Sequence, residues 1–265
     1  MYYTIILVNL PYLVYNYVVL KVKKCMKEER IDDLNLNGKV IIQNPDYFCF
    51  GIDSVLLANF VESKNTKNVI VDLCSGSGVI PVIVSQKKDY SKIMAVELQK
   101  EMFELLEKNI SINSLRDKII PLNVNLKELA LKEKVDIVTC NPPYKEVGTG
   151  VTNENSVKYI ARHEVECTLE DVFKCSSKIL KQKGKLYLVH KPQRLNDLIS
   201  IARKYKLEAK RMRLVYPKVD SKPSIVLVEY VYCGGNEMEI LPPLIEYDES
   251  GNYTKEIYDI YGSEK

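Results

Sequence analysis

Val69-Ile70-Val71-Asp72-Leu73-Cys74-Ser75-Gly76-Ser77-Gly78 decides the fold of this chain. Its first six residues are an apolar run broken by one acid, which reads as a buried parallel strand. Small residues then form a tight turn, and Val79 to Gln86 continues as a helix. Strand, glycine turn and helix in this order open an α/β unit with a mostly parallel sheet. Downstream, Lys92 to Val96 reads as a second strand ending in Glu97, Gln99 to Asn113 as a helix, Lys118 to Leu122 as a third strand and Val135 to Cys140 as a fourth. Thr168 to Leu180 reads as a helix capped by Thr168, with Asp171 three residues on, and Gly184 as a break before the strand Lys185 to Val189. Gln193 to Lys204 is the next expected helix. Leu207 to Leu214 and Ser224 to Tyr232 close the pattern as two hairpin-like strands.

A glycine-rich turn after a strand usually cradles phosphate, so that reading comes first. In a dinucleotide fingerprint the third glycine falls at Pro81, and no Lys-Ser or Lys-Thr pair follows as a P-loop requires. Asp72 at the strand end repels phosphate and attracts a cationic amino group. S-adenosylmethionine carries an ammonium group and no phosphate. Glu97, about 20 residues beyond the glycines, stands where Rossmann-type folds grip ribose hydroxyls with a carboxylate.

The fourth strand runs into Asn141-Pro142-Pro143-Tyr144, at the end of the sheet where open α/β folds bind ligands. Two prolines remove two N–H donors and leave carbonyls that only accept. The Asn141 side-chain oxygen and an adjacent carbonyl can both accept from one planar –NH2 group, and the Tyr144 ring offers a face to a flat heterocycle.

Asp72-Leu73-Cys74-Ser75-Gly76-Ser77-Gly78, Glu97 and Asn141-Pro142-Pro143-Tyr144 resemble the motifs of class I S-adenosylmethionine-dependent amino-methyltransferases. More narrowly, Ile41-Ile42-Gln43-Asn44-Pro45, Phe48 to Ala58, Ala161-Arg162-His163-Glu164 and Leu241-Pro242-Pro243-Leu244-Ile245 are similar to the tRNA1(Val) adenine-37-N6 methyltransferase family, over Glu29 to Tyr258. The resemblance implies a Rossmann-like fold with a seven-stranded, mostly parallel sheet whose last strand is antiparallel. It implies S-adenosylmethionine as cofactor, held by Phe50, Asp53, Asp72, Gly76, Gly78, Glu97 and Asn125. The catalytic residues would be Asn141, Pro142, Pro143 and Tyr144, acting by direct transfer to the exocyclic N6 of an adenine in tRNA, with no metal. Lys145, Arg162, His163, Lys191 and Arg194 are the expected RNA contacts. Asn125 stands where the family usually has Asp, keeping an acceptor without its charge, and Ser54 stands where Ala is common, a change expected to be silent. The same tetrapeptide serves glutamine-N5 protein methyltransferases and DNA or rRNA adenine methyltransferases, and a non-catalytic RNA-binding protein could keep the fold.

The 265 residues, 46% hydrophobic and 28% charged, suffice for one substantial core. The expected organisation is an apolar extension over 1–25, a methyltransferase domain over 26–235 and a tail over 236–265. A net charge of +3 is a weak nucleic-acid signal, but twelve Lys and Arg residues fall between Lys178 and Arg213. Some are solvated helix faces, and the rest are a candidate phosphate-contacting surface. Seven scattered cysteines, with no C-x-x-C pair, argue against a zinc site or disulfide framework and for a reducing cytoplasm. Cys74 and Cys140 are expected to be packing residues.

Tyr2 to Leu20 is nearly all apolar and long enough to cross a bilayer, but Asn9, Pro11 and Asn16 interrupt it. Met26 directly precedes the resemblance and is the expected true start, which N-terminal sequencing would test. Lys145 to Ile160 is polar and glycine-containing, the composition of a loop that closes over substrate.

Overall fold

In the computed structural model, residues 28–144 and 167–262 are described, together with the backbone of an antiparallel pair, β1 (Thr4–Ile5) and β2 (Val19–Leu20). The expectations for the remainder of 1–25, for the loop 145–160 and for Arg162 and His163 fall outside these residues. Among the described residues no helix is long and apolar enough to cross a membrane.

A hairpin opens the described chain: β3 (Arg30–Leu36) and β4 (Lys39–Gln43) pair through a turn at Asn37-Gly38, both with positive φ. Helix α1 (Ile52–Phe60) follows. The alternating core comes next: β5 (Val69–Leu73), α2 (Val79–Lys87), β6 (Lys92–Glu97), α3 (Lys100–Ile112), β7 (Ile119–Asn123) and β8 (Val135–Cys140). After residue 166 come α4 (Leu169–Ile179), β9 (Leu180–His190), α5 (Leu195–Lys204), β10 (Leu207–Tyr216) and β11 (Ile225–Tyr232). Two short strands, β12 (Glu239–Ile240) and β13 (Leu244–Ile245), and helix α6 (Lys255–Tyr261) end it.

Seven of these strands form the expected sheet in the order β7-β6-β5-β8-β9-β11-β10. All neighbours from β7 to β9 are parallel, and β11 lies antiparallel between β9 and β10. The tail adds to it, because β12 and β13 pair in parallel with the outer edge of β10. At the opposite edge, Pro121 of β7 stands opposite Ala95.

Each sheet face has its own core, because alternate strand residues point to opposite sides. Ile70, Ile93, Ile137 and Val189 pack under α1 and α2, against Leu57 and Ile83. Val71, Val138 and Leu188 face the other way, against Phe173 of α4 and Leu198 of α5. The expected cap of α4 is present: Asp171 N–H donates to Thr168 Oγ1 at 3.2 Å, and Thr168 N–H donates to the Asp171 carboxylate at 3.0 Å.

One local expectation is corrected. Gly184 does not break the chain before a strand; β9 runs through it from Leu180 to His190. The register against β8 shifts between Val135 and Ile137, whose partners are Leu180 and Lys185, and Lys183 has φ +63°, so β9 absorbs three extra residues as an enlarged bulge. Gly184 is there for space, since a Cβ would come within 2.9 Å of the Lys181 carbonyl oxygen.

Candidate active site

The sheet order reverses between β5 and β8, and Leu73 is paired with Cys140 across that boundary. The glycine turn and the Asn141 tetrapeptide therefore leave the sheet side by side, at the switch point where doubly wound folds bind ligands. An open cleft of about 880 Å³ lies there.

The turn is built by backbone conformations that favour glycine. Cys74, Gly76 and Gly78 all have positive φ, at +58°, +55° and +87°. Three groups from other elements hold it. Ser75 N–H donates to the Val96 carbonyl at 3.0 Å, Gly76 N–H donates to Glu97 Oε2 at 2.8 Å, and Asn109 of α3 donates to the Ser77 carbonyl at 2.9 Å. Glu97 Oε1 also accepts from Gln99 N–H at 2.8 Å. Glu97 thus lines the cleft with both oxygens tied to backbone, and burial pushes its carboxyl above the usual range.

Asp72 lies deeper. It is fully buried and not a wall residue; Oδ1 accepts from Thr139 Oγ1 at 2.5 Å, and Oδ2 has no partner among the described residues. Burial lifts its carboxyl to about 7, against the hydrogen bond from Thr139. Phe48, Phe50 and Met102 give the cleft apolar surface, while Gln99 and Asn125 bring polar groups. Asn125 Oδ1 accepts from Lys127 N–H at 3.0 Å, which starts a turn of 3-10 helix at Leu126–Glu128 and leaves a second lone pair on that oxygen.

These residues fit S-adenosylmethionine. Glycine lets a ligand press against backbone, Gln99 and Asn125 put polar side chains on the wall, and the apolar surface suits a flat ring.

At the other end of the cleft, Asn141 and Pro143 form part of the wall. Asn141 Nδ2 donates to Ser54 Oγ at 2.8 Å and to Asp53 Oδ2 at 3.2 Å. Tyr144 Oη donates to Asp53 Oδ2 at 2.6 Å and also contacts Asn141 Oδ1. Burial, with Asp53 beside it, holds the Tyr144 phenol well above its usual range. Asp53, expected to hold the cofactor, directs its carboxylate to Asn141, Tyr144 and Ser54 N–H and is not a wall residue. Ser54, expected to be a silent exchange, is buried, lines the cleft and accepts from Asn141.

His190 belongs to this site and was not legible as such, since its only sequence signal is its position at the end of a strand. It is buried, its two ring nitrogens have no partner among the described residues, and it packs edge-on to Tyr144 with centroids 5.2 Å apart. Burial, followed by the charge of Arg194, lowers its pKa to about 4 and keeps it neutral. Lys191 Nζ lies 5.6 Å from the Tyr144 ring centroid. Cys74 Sγ is 3.8 Å from Cys167 Sγ. Hydrogen bonding, with Cys140 for Cys74 and with Cys74 for Cys167, and then burial push those two thiols up, and burial pushes Cys140 up to about 11, which leaves neutral sulfur and agrees with a packing role.

Most of the basic run is neutralised. Among the described residues, seven of its twelve side chains pair with acids, including Lys185 with Glu229, Arg211 with Glu62 and Arg213 with Glu256. Arg194, an expected RNA contact, is held by Asp197 at 2.6 Å. Lys145, Arg162 and His163 lie outside the described residues.

Fold and site together define a methyltransferase: residues 39–204 match the methyltransferase small domain, and the chain belongs to that family. S-adenosylmethionine is its methyl donor. Among curated proteins, the chain is similar to the tRNA1(Val) (adenine(37)-N6)-methyltransferases of Porphyromonas gingivalis, at 24% identity over 68% of this chain and 73% of the relative. The protein of that name from Parabacteroides distasonis is 26% identical over 68% of this chain and 75% of the relative. Among solved structures, a predicted O-methyltransferase from Agrobacterium tumefaciens shares the fold with a TM-score of 0.64 at 20% identity, covering 80% of this chain and 98% of that one. The M. jannaschii tRNA m1G37 methyltransferase does so with a TM-score of 0.55 at 17% identity, covering 84% of this chain and 59% of that one.

Proposed function

We propose that the enzyme methylates the exocyclic N6 of an adenine in tRNA, adenine 37 of the anticodon loop, in the cytoplasm. One observation carries this reading: a single cleft joins the glycine turn and Glu97 to Asn141, so donor and acceptor nitrogen share one chamber. The curated relatives, named for adenine-37 N6 transfer in tRNA1(Val), supply the substrate.

The cofactor supplies an electrophilic methyl group on a sulfonium. Adenine N6 is a poor nucleophile because its lone pair is conjugated with the ring. Asn141 Oδ1 and the Pro142 carbonyl accept its two hydrogens, which favours the pyramidal nitrogen of the transition state. Pro142 and Pro143 bring no N–H donor to compete. Tyr144, with its hydroxyl anchored, gives the base a surface to stack on, worth about 1–3 kcal/mol. An anticodon-loop base is less costly to extrude than one in a duplex.

The test is transfer from labelled S-adenosylmethionine to total tRNA lacking this modification, followed by nucleoside mass spectrometry. N6-methyladenosine is the expected product. Label that appears in release factor, rRNA or DNA and not in tRNA overturns the substrate.

A further inference from the structure

We infer that Asp53, seconded by Ser54, is a positioning residue that fixes which end of the Asn141 side-chain amide faces the substrate. This role rests on the amino-methyl transfer proposed above. A carboxamide is nearly symmetric in shape, and its two orientations exchange an acceptor for a donor. Only the orientation with Oδ1 toward the substrate can accept from an amino group. The other sets –NH2 against –NH2 and forfeits the hydrogen bond on which the chemistry depends.

The contacts of Asn141 select between the two. Its Nδ2 has Ser54 Oγ at 2.8 Å and Asp53 Oδ2 at 3.2 Å. Ser54 alone does not discriminate, because a hydroxyl both donates and accepts. An ionised carboxylate only accepts, so it admits the nitrogen and excludes the oxygen. The same Asp53 oxygen receives the Tyr144 hydroxyl at 2.6 Å, and Tyr144 in turn touches Asn141 Oδ1. One carboxylate oxygen thereby sets the amide and anchors the aromatic ring.

Asp53 is itself well held. It lies in the first turn of α1, where the N-terminal end of the helix favours a negative charge, and Oδ1 accepts from Ser54 N–H at 2.9 Å. It forms no part of the cleft wall, so it acts through Asn141. That is a different task from gripping the cofactor.

The decisive variant is Asp53→Asn, which keeps the shape and offers Asn141 a donor as well as an acceptor. We expect kcat to fall about 100-fold, the scale of one lost transition-state hydrogen bond, with cofactor Kd by calorimetry and KM for tRNA within about 2-fold of the parent. A kcat within about 2-fold of the parent, or a Kd that rises in step with the loss, overturns the role. Reciprocal exchange is the second measurement. Asn141→Asp alone sets two carboxylates together, and adding Asp53→Asn restores a donor–acceptor pair, so the double variant should recover at least about 10-fold over Asn141→Asp. A double variant that folds and is no better overturns it.

A readout without substrate separates this inference from the proposed function. In the parent the Asn141 side-chain –NH2 should be a resolved NMR pair that exchanges slowly with solvent, and in Asp53→Ala it should exchange freely. Unchanged exchange sinks the positioning role even if tRNA is methylated. Absence of N6-methyladenosine from the parent, with the exchange effect present, sinks the substrate reading alone.

Discussion

Thr139 and Asp72 face each other across neighbouring parallel strands, and the hydroxyl donates to the carboxylate at 2.5 Å in a site fully closed to water. This is one hydrogen bond for a group with two oxygens, and burial wins: the carboxyl titrates near 7 instead of near 3.8. Between those values the folded protein binds a proton that the unfolded chain has lost, so this group's stabilising contribution is complete below about pH 4 and disappears as pH rises through 7. The span corresponds to a contribution on the order of 4 kcal/mol. Melting of the cofactor-free protein from pH 5 to 8 should show a falling Tm, and Asp72→Asn should flatten the slope.

Glu97 is expected to tolerate no amide. Each of its oxygens accepts a backbone N–H, from Gly76 and from Gln99. In Glu97→Gln one –NH2 must point at one of these donors, which costs about 1–3 kcal/mol and loosens the turn. Calorimetric titration with S-adenosylmethionine should show weakening of at least about 10-fold.

Asn109 joins three elements that are far apart in sequence. Its side chain accepts from Ile42 N–H at 2.7 Å and donates to the carbonyls of Ile42 at 3.0 Å and Ser77 at 2.9 Å. Asn109→Ala orphans all three groups in a buried site, for a loss of about 3 kcal/mol or more. Denaturant unfolding checks the magnitude. A residual folded protein with weakened cofactor binding is the expected second effect, since Ser77 belongs to the turn.

The two turn glycines should respond unequally. A Cβ on Gly76 meets Met102 at an ordinary 3.7 Å, so Gly76→Ala bears only the strain of a positive φ, about 1 kcal/mol. On Gly78 it would reach Leu106 Cδ1 at 2.5 Å. Gly78→Ala adds repacking of α3 to a similar strain and should lower Tm further than Gly76→Ala in the same melting assay.

Most of the sheet was legible because its signals are local. The apolar runs of β5, β6, β7 and β8, the glycine turn and the Thr168–Asp171 cap each lie within a few residues. Helix α1 lacked such a signal, since Val55, Leu56, Leu57 and Ala58 are consecutive and buried and show no periodicity. The β9 bulge depends on how Val135 and Ile137 register against it, which no local pattern encodes. Arg213 and Glu256 meet across 43 residues, so the neutralised basic surface could not be read from the run of charges alone. In the site, the glycine turn, Glu97 and Asn141 were readable by spacing. The contact between Asp53 and Asn141, 88 positions apart, was not.

The margins of the large sheet bear on how the protein behaves in a crowded solution. A strand with a free side invites pairing with another molecule, and that route leads to aggregation. Here one margin carries Pro121, which has no N–H to offer, and the other is screened where β12 and β13 lie along β10. Both flanks of a long β-structure are thereby made poor templates for an incoming strand.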